Sequence, residues 1–305
     1  MRVLQLITST RSFYEQQVEA LEARGIECTT VSVPGTYAAD SPHTVWDYVR
    51  YYPKVLDHSL DEYDLVHANY GLVGPFALAQ PTRPVVLSLW GTDLLGDYGW
   101  LRTLSRTSAR LADAVVVPSE PMAEALGRPA SLIPFGVNMD LFEPEPKQEA
   151  RQRLGWDDEP VVLFPYDRNR EEKDFPRAKR VVERLESDAR LHEVTDATHE
   201  EMPTYMNAAD ALLVTSRHEA GPMAVKEAAA CNLPVVSTDV GFVRETLDGV
   251  SRSQVCETTD ELVAALDAVL AAGERSDGRQ AVRSDSVSRL GDRLATLYRE
   301  TVEGS

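Results

Sequence analysis

Two carboxylates, Glu219 and Glu227, stand eight residues apart in SRHEAGPMAVKEAAACNLPVVSTDVG, the segment from Ser216 to Gly241. The apolar run ALLVTS (211 to 216) before them predicts a strand. Gly221 and Pro222 then fall where a helix would begin, Pro being favoured at its first position, and the helix is predicted through Ala224 to Ala230. At about 3.6 residues per turn, Glu227 lies about two turns on from Glu219, so both carboxylates can face one ligand. The free first-turn N–H groups of Met223 and Ala224, together with the helix dipole, make a place for a phosphate or a sugar oxygen. A carboxylate accepts hydrogen bonds from adjacent hydroxyls, so one Glu on a sugar ring and the other on a ribose is a workable division. Taken alone, the two residues are better explained as a surface Glu on a helix and a helix-start Glu favoured by the dipole.

A second group of charges follows the predicted strand VVLFPY (161 to 166): YDRNREEKDF carries Arg168, Arg170 and Lys173. A solvated charged loop is the plain account. The chain has only five lysines, however, and one of them stands here beside two arginines at a strand end. In the first half, VHANYGLVG sets His67 and Tyr70 at a strand end before Gly71 and Gly74, and SLWGTDLLG sets Gly91 and Asp93 at the next. For His67, a satisfied structural histidine and a functional one are equally good readings.

With these residues in place, the chain resembles a known family. Glu219, Gly221, Pro222, Glu227, Ala228 and CNLPVVSTDVG are similar to the Glu-x7-Glu signature of retaining glycosyltransferases of the GT-B fold, group 1, family 4. The likeness extends through THEEMPTYMNAADALLVTSRHEAGP and IPFGVNMDLFEP, is firmest from Asp113 to Thr246, and covers nearly the whole chain. It implies that Glu219 orients the donor sugar, Glu227 holds the ribose, and Arg170 and Lys173 hold the diphosphate, with Arg168 beside them. It also implies an acceptor side in the first half, with Asp93 and His67 near the reacting sugars. Trp90 departs from the family, many members having a His there, and TSTRSFYEQQ lacks a double Gly often found after the first strand.

Such residues need strand ends to hold them. Apolar runs alternate with helical patterns along the chain, the rhythm of βαβ units and of parallel sheets covered on both faces. Strands are predicted at 3 to 8, 28 to 33, 65 to 70, 85 to 90, 114 to 118 and 131 to 135, and again at 161 to 166, 190 to 194, 211 to 216 and 234 to 238. Helices are predicted from Glu15 to Gly25, over ELVAALDAVLAAG to its stop at Gly273, and from about Ser286 to Val302. The expected architecture is α/β, two Rossmann-like doubly wound parallel-sheet domains facing a cleft. The acceptor-side domain is residues 1 to 148, joined by the C-terminal helix 286 to 302; the donor-binding domain is 149 to 285, beginning after the Pro- and Glu-rich segment FEPEPKQEARQRLGW. Ligands of open α/β sheets bind beyond the carboxyl ends of the strands.

Composition narrows the function. At 305 residues the chain suits two domains, and 43% hydrophobic residues suffice for two cores. A net charge of −18 disfavours nucleic acid as a partner and fits an acidic protein of a salt-rich cytoplasm. Cys28, Cys231 and Cys256 are widely spaced, which gives neither a zinc pattern nor a disulfide framework. There is no Asp-x-Asp pair for a metal-held diphosphate and no apparent leader or membrane span, so no metal and no cofactor are expected beyond a nucleotide-sugar co-substrate such as a UDP- or GDP-sugar. The acceptor is expected to be a glycan, a lipid-linked glycan at the inner membrane face or a small molecule. An NAD-dependent dehydrogenase is excluded by the lack of a G-x-G-x-x-G turn. The remaining alternative is a degenerate transferase that serves as a binding or scaffold subunit.

Overall fold

All ten predicted segments contain a strand, and the inner ones do so because a run of apolar residues buried on both sides pairs its backbone only within a covered sheet. The computed structural model describes residues 1–35, 43–96, 98–219 and 221–305. These residues divide into two compact units, Met1–Gly136 with Val287–Ser305, and Val137–Ser286.

In the first unit β1 (Arg2–Ile7), β2 (Glu27–Ser32), β3 (Leu65–Asn69), β4 (Val85–Ser88), β5 (Ala114–Val117) and β6 (Ser131–Leu132) form one sheet in the order β2-β1-β3-β4-β5-β6. All its pairs are parallel. One face is covered by the helix Val45–His58, the helix Gly74–Ala79 and their neighbours around Leu4, Val66, Val85 and Leu87. The other is covered by the helix Ser12–Glu22, through Leu21, and by the helix Val287–Glu303, through Leu290, Leu294 and Tyr298. The C-terminal helix thus returns to the first sheet, as its stripe of apolar residues predicts.

In the second unit β7 (Val161–Phe164), β8 (Arg190–Glu193), β9 (Ala211–Val214), β10 (Val235–Thr238) and β11 (Gln254–Cys256) form a parallel sheet in the order β11-β10-β9-β7-β8. The helix Met223–Ala230 buries four alanines, Ala224, Ala228, Ala229 and Ala230, and small side chains let a helix approach closely. The segment 137–148, expected with the first domain, belongs to the second unit. Phe142 is fully buried in the second core, and Asn207 holds the backbone of Glu143 and Glu145 by hydrogen bonds of 2.9 Å.

The two sheets share one plan. In each, the first strand lies between the second and the third, so neighbouring connections run off in opposite directions on its two sides. That reversal leaves an opening beyond the carboxyl ends of the first and third strands. In the second sheet these are β7 and β9.

Candidate active site

The loops that leave β7 and β9 carry Lys173 and Glu219, and the sheet draws them together. A tight turn over Glu171–Lys173 follows β7. Asp174 closes it in a left-handed conformation, φ 50°, and its carboxylate accepts from the Arg177 N–H at the start of the next helix. From the end of β9, the Thr215 hydroxyl donates to the carbonyls of Lys173 (2.9 Å) and Asp174 (3.1 Å), while the Arg217 N–H donates to the Glu172 carbonyl (2.9 Å). Three hydrogen bonds therefore fix the Lys173 backbone against the β9 loop.

Lys173 is 3% exposed, and its ammonium lies 2.7 Å from Glu219 Oε1. The same oxygen accepts a hydrogen bond of 2.5 Å from the Ser216 hydroxyl. Ser216 is held in turn by its carbonyl, which accepts from Thr238 at the end of β10 (2.7 Å). Burial lowers the Lys173 pKa, and the neighbouring Glu219 charge opposes that shift. The ammonium also sits 3.9 Å from the centre of the Tyr166 ring, a cation–π contact.

Glu227 projects from the helix Met223–Ala230 with its side chain 14% exposed. Burial pushes its pKa up to about 7. His199 Nδ1 is 3.9 Å from Glu227 Oε1, beyond hydrogen-bond distance, and its ring packs edge-on to Phe142 at 5.1 Å. Pro222 occupies the position ahead of this helix, at ψ 100°, rather than its first helical position. Gly221 is required by contact: a Cβ there would press into the Phe242 ring.

Four of the expected residues converge on Tyr166. The charges of Glu219, Glu227 and Arg170 all act on its phenol, whose pKa is raised well above the ordinary value by burial first and by the two carboxylates second. Lys173 lies on its ring. Arg170 is half exposed and paired with Glu172 at 2.6 Å. Arg168 does not join them: its backbone N–H and its guanidinium both turn to Glu193 at the end of β8, and its side chain packs over Phe175.

His67 and Asp93, in the first unit, are enclosed instead of offered. His67 lies within β3 rather than at its end, fully buried, with Nδ1 2.6 Å from the Tyr298 hydroxyl and Nε2 2.7 Å from the Ser88 hydroxyl. Both ring nitrogens are engaged, and burial lowers its pKa to about 3, so it is a neutral structural group. Asp93 is also fully buried. Its carboxylate accepts the N–H groups of Gly71 (2.9 Å), Trp90 (3.0 Å) and Gly91 (2.8 Å), which ties together the loops after β3 and β4. Burial raises its pKa against those hydrogen bonds. The catalytic expectation for both residues gives way to a structural one. Trp90 packs edge-on to Phe13 at 4.7 Å.

Sequence reasoning passed over Tyr166, Thr215, Ser216 and His199. Tyr166 alone had a signal, an aromatic residue just past a strand that aims at the switch point. Among the described residues no group of three or more His, Cys, Asp or Glu is placed to hold a metal ion, and no helix is long and apolar enough to cross a membrane.

Comparison with known proteins finds a family model for each unit. Residues 170–272 match the family described as glycosyl transferases group 1, and residues 4–135 match the glycosyl transferase 4-like domain. A GDP-mannose-dependent alpha-(1-6)-phosphatidylinositol monomannoside mannosyltransferase of Mycolicibacterium smegmatis is 29% identical over 71% of this chain and 70% of its own. A Bacillus subtilis chain provisionally named as the teichuronic acid biosynthesis glycosyltransferase TuaC is 27% identical over 59% of this chain, and the match spans about half of its length, 54%. Among solved structures, sucrose-phosphate synthase of Thermosynechococcus elongatus superposes with a TM-score of 0.84 over the whole of both chains at 20% identity. Anabaena HepE, crystallised with UDP-glucose, gives 0.76 over 98% of this chain and all of its own at 16% identity, a likeness of fold. With one family model on each unit and two parallel sheets of the GT-B kind, the chain belongs to the group 1, family 4-like glycosyltransferases.

Proposed function

We propose that this protein transfers a sugar from a nucleoside-diphosphate sugar to a glycan, lipid-linked or small-molecule acceptor, with retention of configuration and without a bound metal. The observation that carries the reading is the buried Lys173–Glu219 pair at the switch point of the second sheet, with the charge of Glu227 also acting on the Tyr166 phenol. A carboxylate pushed up to about 7 by burial and a buried Lys–Glu pair, all acting on one tyrosine, make a costly cluster for a structural element. It suits a ligand that brings hydroxyls for the carboxylates and phosphates for the cations. The named ligands of similar proteins, GDP-mannose for the mycobacterial relative and UDP-glucose for HepE, are of this class.

In this reading Glu227 accepts from the ribose hydroxyls and Glu219 from the sugar ring. Lys173 and Arg170 face the diphosphate, where negative charge grows as the glycosidic bond breaks, and preorganised cations favour that charge. The acceptor hydroxyl attacks the anomeric carbon from the face that the diphosphate leaves. A departing phosphate oxygen takes the acceptor proton, so no strong protein base is needed. The reaction belongs to the cytoplasm, with lipid-linked acceptors met at the inner membrane face.

Incubation with a panel of UDP- and GDP-sugars tests this. Slow donor hydrolysis, or a thermal shift with one donor, is the expected result, unchanged by EDTA, and NMR of the transfer product should show a retained anomer. No hydrolysis and no shift with any of them would instead make the chain a binding or scaffold subunit.

A further inference from the structure

One polar group at this site is left without a partner. The Tyr166 phenol oxygen is closed to solvent and makes no hydrogen bond among the described residues, and the residue is 9% exposed. Buried hydroxyls are nearly always paired, because removal from water without a new bond is unfavourable. The ring is well held, with Phe164 edge-on at 5.3 Å and the Lys173 ammonium at 3.9 Å over its face. Packing therefore fixes the ring and leaves the hydroxyl unsatisfied, among the groups that the proposed function gives to the donor.

We propose that Tyr166 is a donor-positioning residue, whose hydroxyl donates a hydrogen bond to a diphosphate oxygen of the bound nucleotide sugar while its ring holds Lys173 beside the same diphosphate. The inference rests on the reading of this site as a nucleotide-sugar site. The phenol keeps its proton at any working pH, since burial and the charges of Glu219 and Glu227 oppose its loss and only Arg170 favours it. It is thus a hydrogen-bond donor. The ribose hydroxyls are donors too and already suit Glu227, whereas phosphate oxygens have lone pairs and no proton to give. The donor is met when the Lys173 ammonium, still over the ring, exchanges Glu219 for the phosphate.

Tyr166→Phe keeps the ring and removes only the hydroxyl. Thermal unfolding of the free protein and calorimetric titration with UDP and GDP give opposite expectations for it. The free variant should melt at or above the wild-type temperature, because the lost hydroxyl had no partner. Its affinity for the diphosphate that wild type binds should fall about tenfold, the worth of one charge-assisted hydrogen bond. A lowered melting temperature, or an unchanged affinity, overturns the role of Tyr166. Wild-type protein that binds neither UDP nor GDP overturns the nucleotide-sugar reading and this inference with it, so the two failures are told apart.

Discussion

The ammonium of Lys173 lies 2.7 Å from Glu219 Oε1, and the two reach each other from loops on neighbouring strands, after β7 and after β9. A pair so enclosed contributes little net stability but becomes costly when one partner is removed. Lys173→Ala should lower kcat by about 10²–10³, the effect of deleting one preorganised donor to a developing charge. The donor KM should change far less. Steady-state kinetics with the preferred nucleotide sugar separates the two constants, and an unchanged kcat would remove Lys173 from the chemistry.

Glu227 makes stability depend on pH. Its pKa in the folded chain is about 7, against about 4.3 for a free Glu. Below the unfolded value both states are protonated and the group has no effect. Between the two values the unfolded chain releases its proton first, so stability declines as pH rises and the loss is complete above about 7. Glu227→Gln should therefore stabilise the protein by about 1–3 kcal/mol at pH 8 and by almost nothing at pH 4, while donor KM rises. Urea unfolding at the two pH values checks it. Equal effects at both would mean that the carboxyl is not held protonated.

Gly221→Ala adds a methyl against Phe242, a side chain 3% exposed whose ring also carries the Lys226 ammonium at 4.5 Å. Overpacking there should cost about 1–3 kcal/mol and shift the start of the helix that bears Glu227. Both the melting temperature and UDP or GDP affinity should drop. Full affinity in a destabilised variant would separate the turn from the site.

Much of this was legible in the chain. Ten strands were, the inner ones because buried parallel strands are nearly continuous apolar runs; β11, only Gln254–Cys256 at a sheet edge, was too short to stand out. The C-terminal helix could be placed from its stripe. The domain boundary could not, since Pro and Glu at 143–146 look like a free linker while one buried side chain, Phe142, decides where that segment packs. At the site, the spacing of Glu219 and Glu227 was a sequence property. Arg168 was expected beside Arg170 and Lys173, and only the position of Glu193 on β8 turns it away. His67 lay in a strand whose neighbours bring Ser88 and Tyr298 to its ring, which no local pattern contains.

That histidine gives a contrasting expectation. Tyr298→Phe removes the partner of His67 Nδ1 and a 3.3 Å bond from Gln5. A buried acceptor or donor left unpaired costs about 1–3 kcal/mol, so the melting temperature should fall by several degrees. Binding of UDP or GDP, which the proposed function gives to the second unit, should stay as it was. A loss of nucleotide affinity here would contradict the assignment of His67 and Tyr298 to structure alone.

Salt should also act on the whole chain. With 49 acidic and 31 basic side chains, self-repulsion is large in dilute buffer. Moving from about 0.1 M to about 1 M KCl shortens the screening length from about 10 Å to about 3 Å. The melting temperature should climb along that series. A flat response would remove the expectation of a salt-adapted protein.

The first unit is closed by residues that a ribosome makes only after the whole second unit. Val3, Leu65, Val86 and Val116 share a sheet face with Leu290, Leu294 and Tyr298, and roughly 150 residues of the second unit are synthesised between them. At about 5–20 residues per second, that face waits on the order of 10–30 s for its cover. Throughout that interval the nascent chain presents an apolar surface to the cell. The second unit, continuous in sequence, can be finished first, so the half that is translated earlier is the half that matures later.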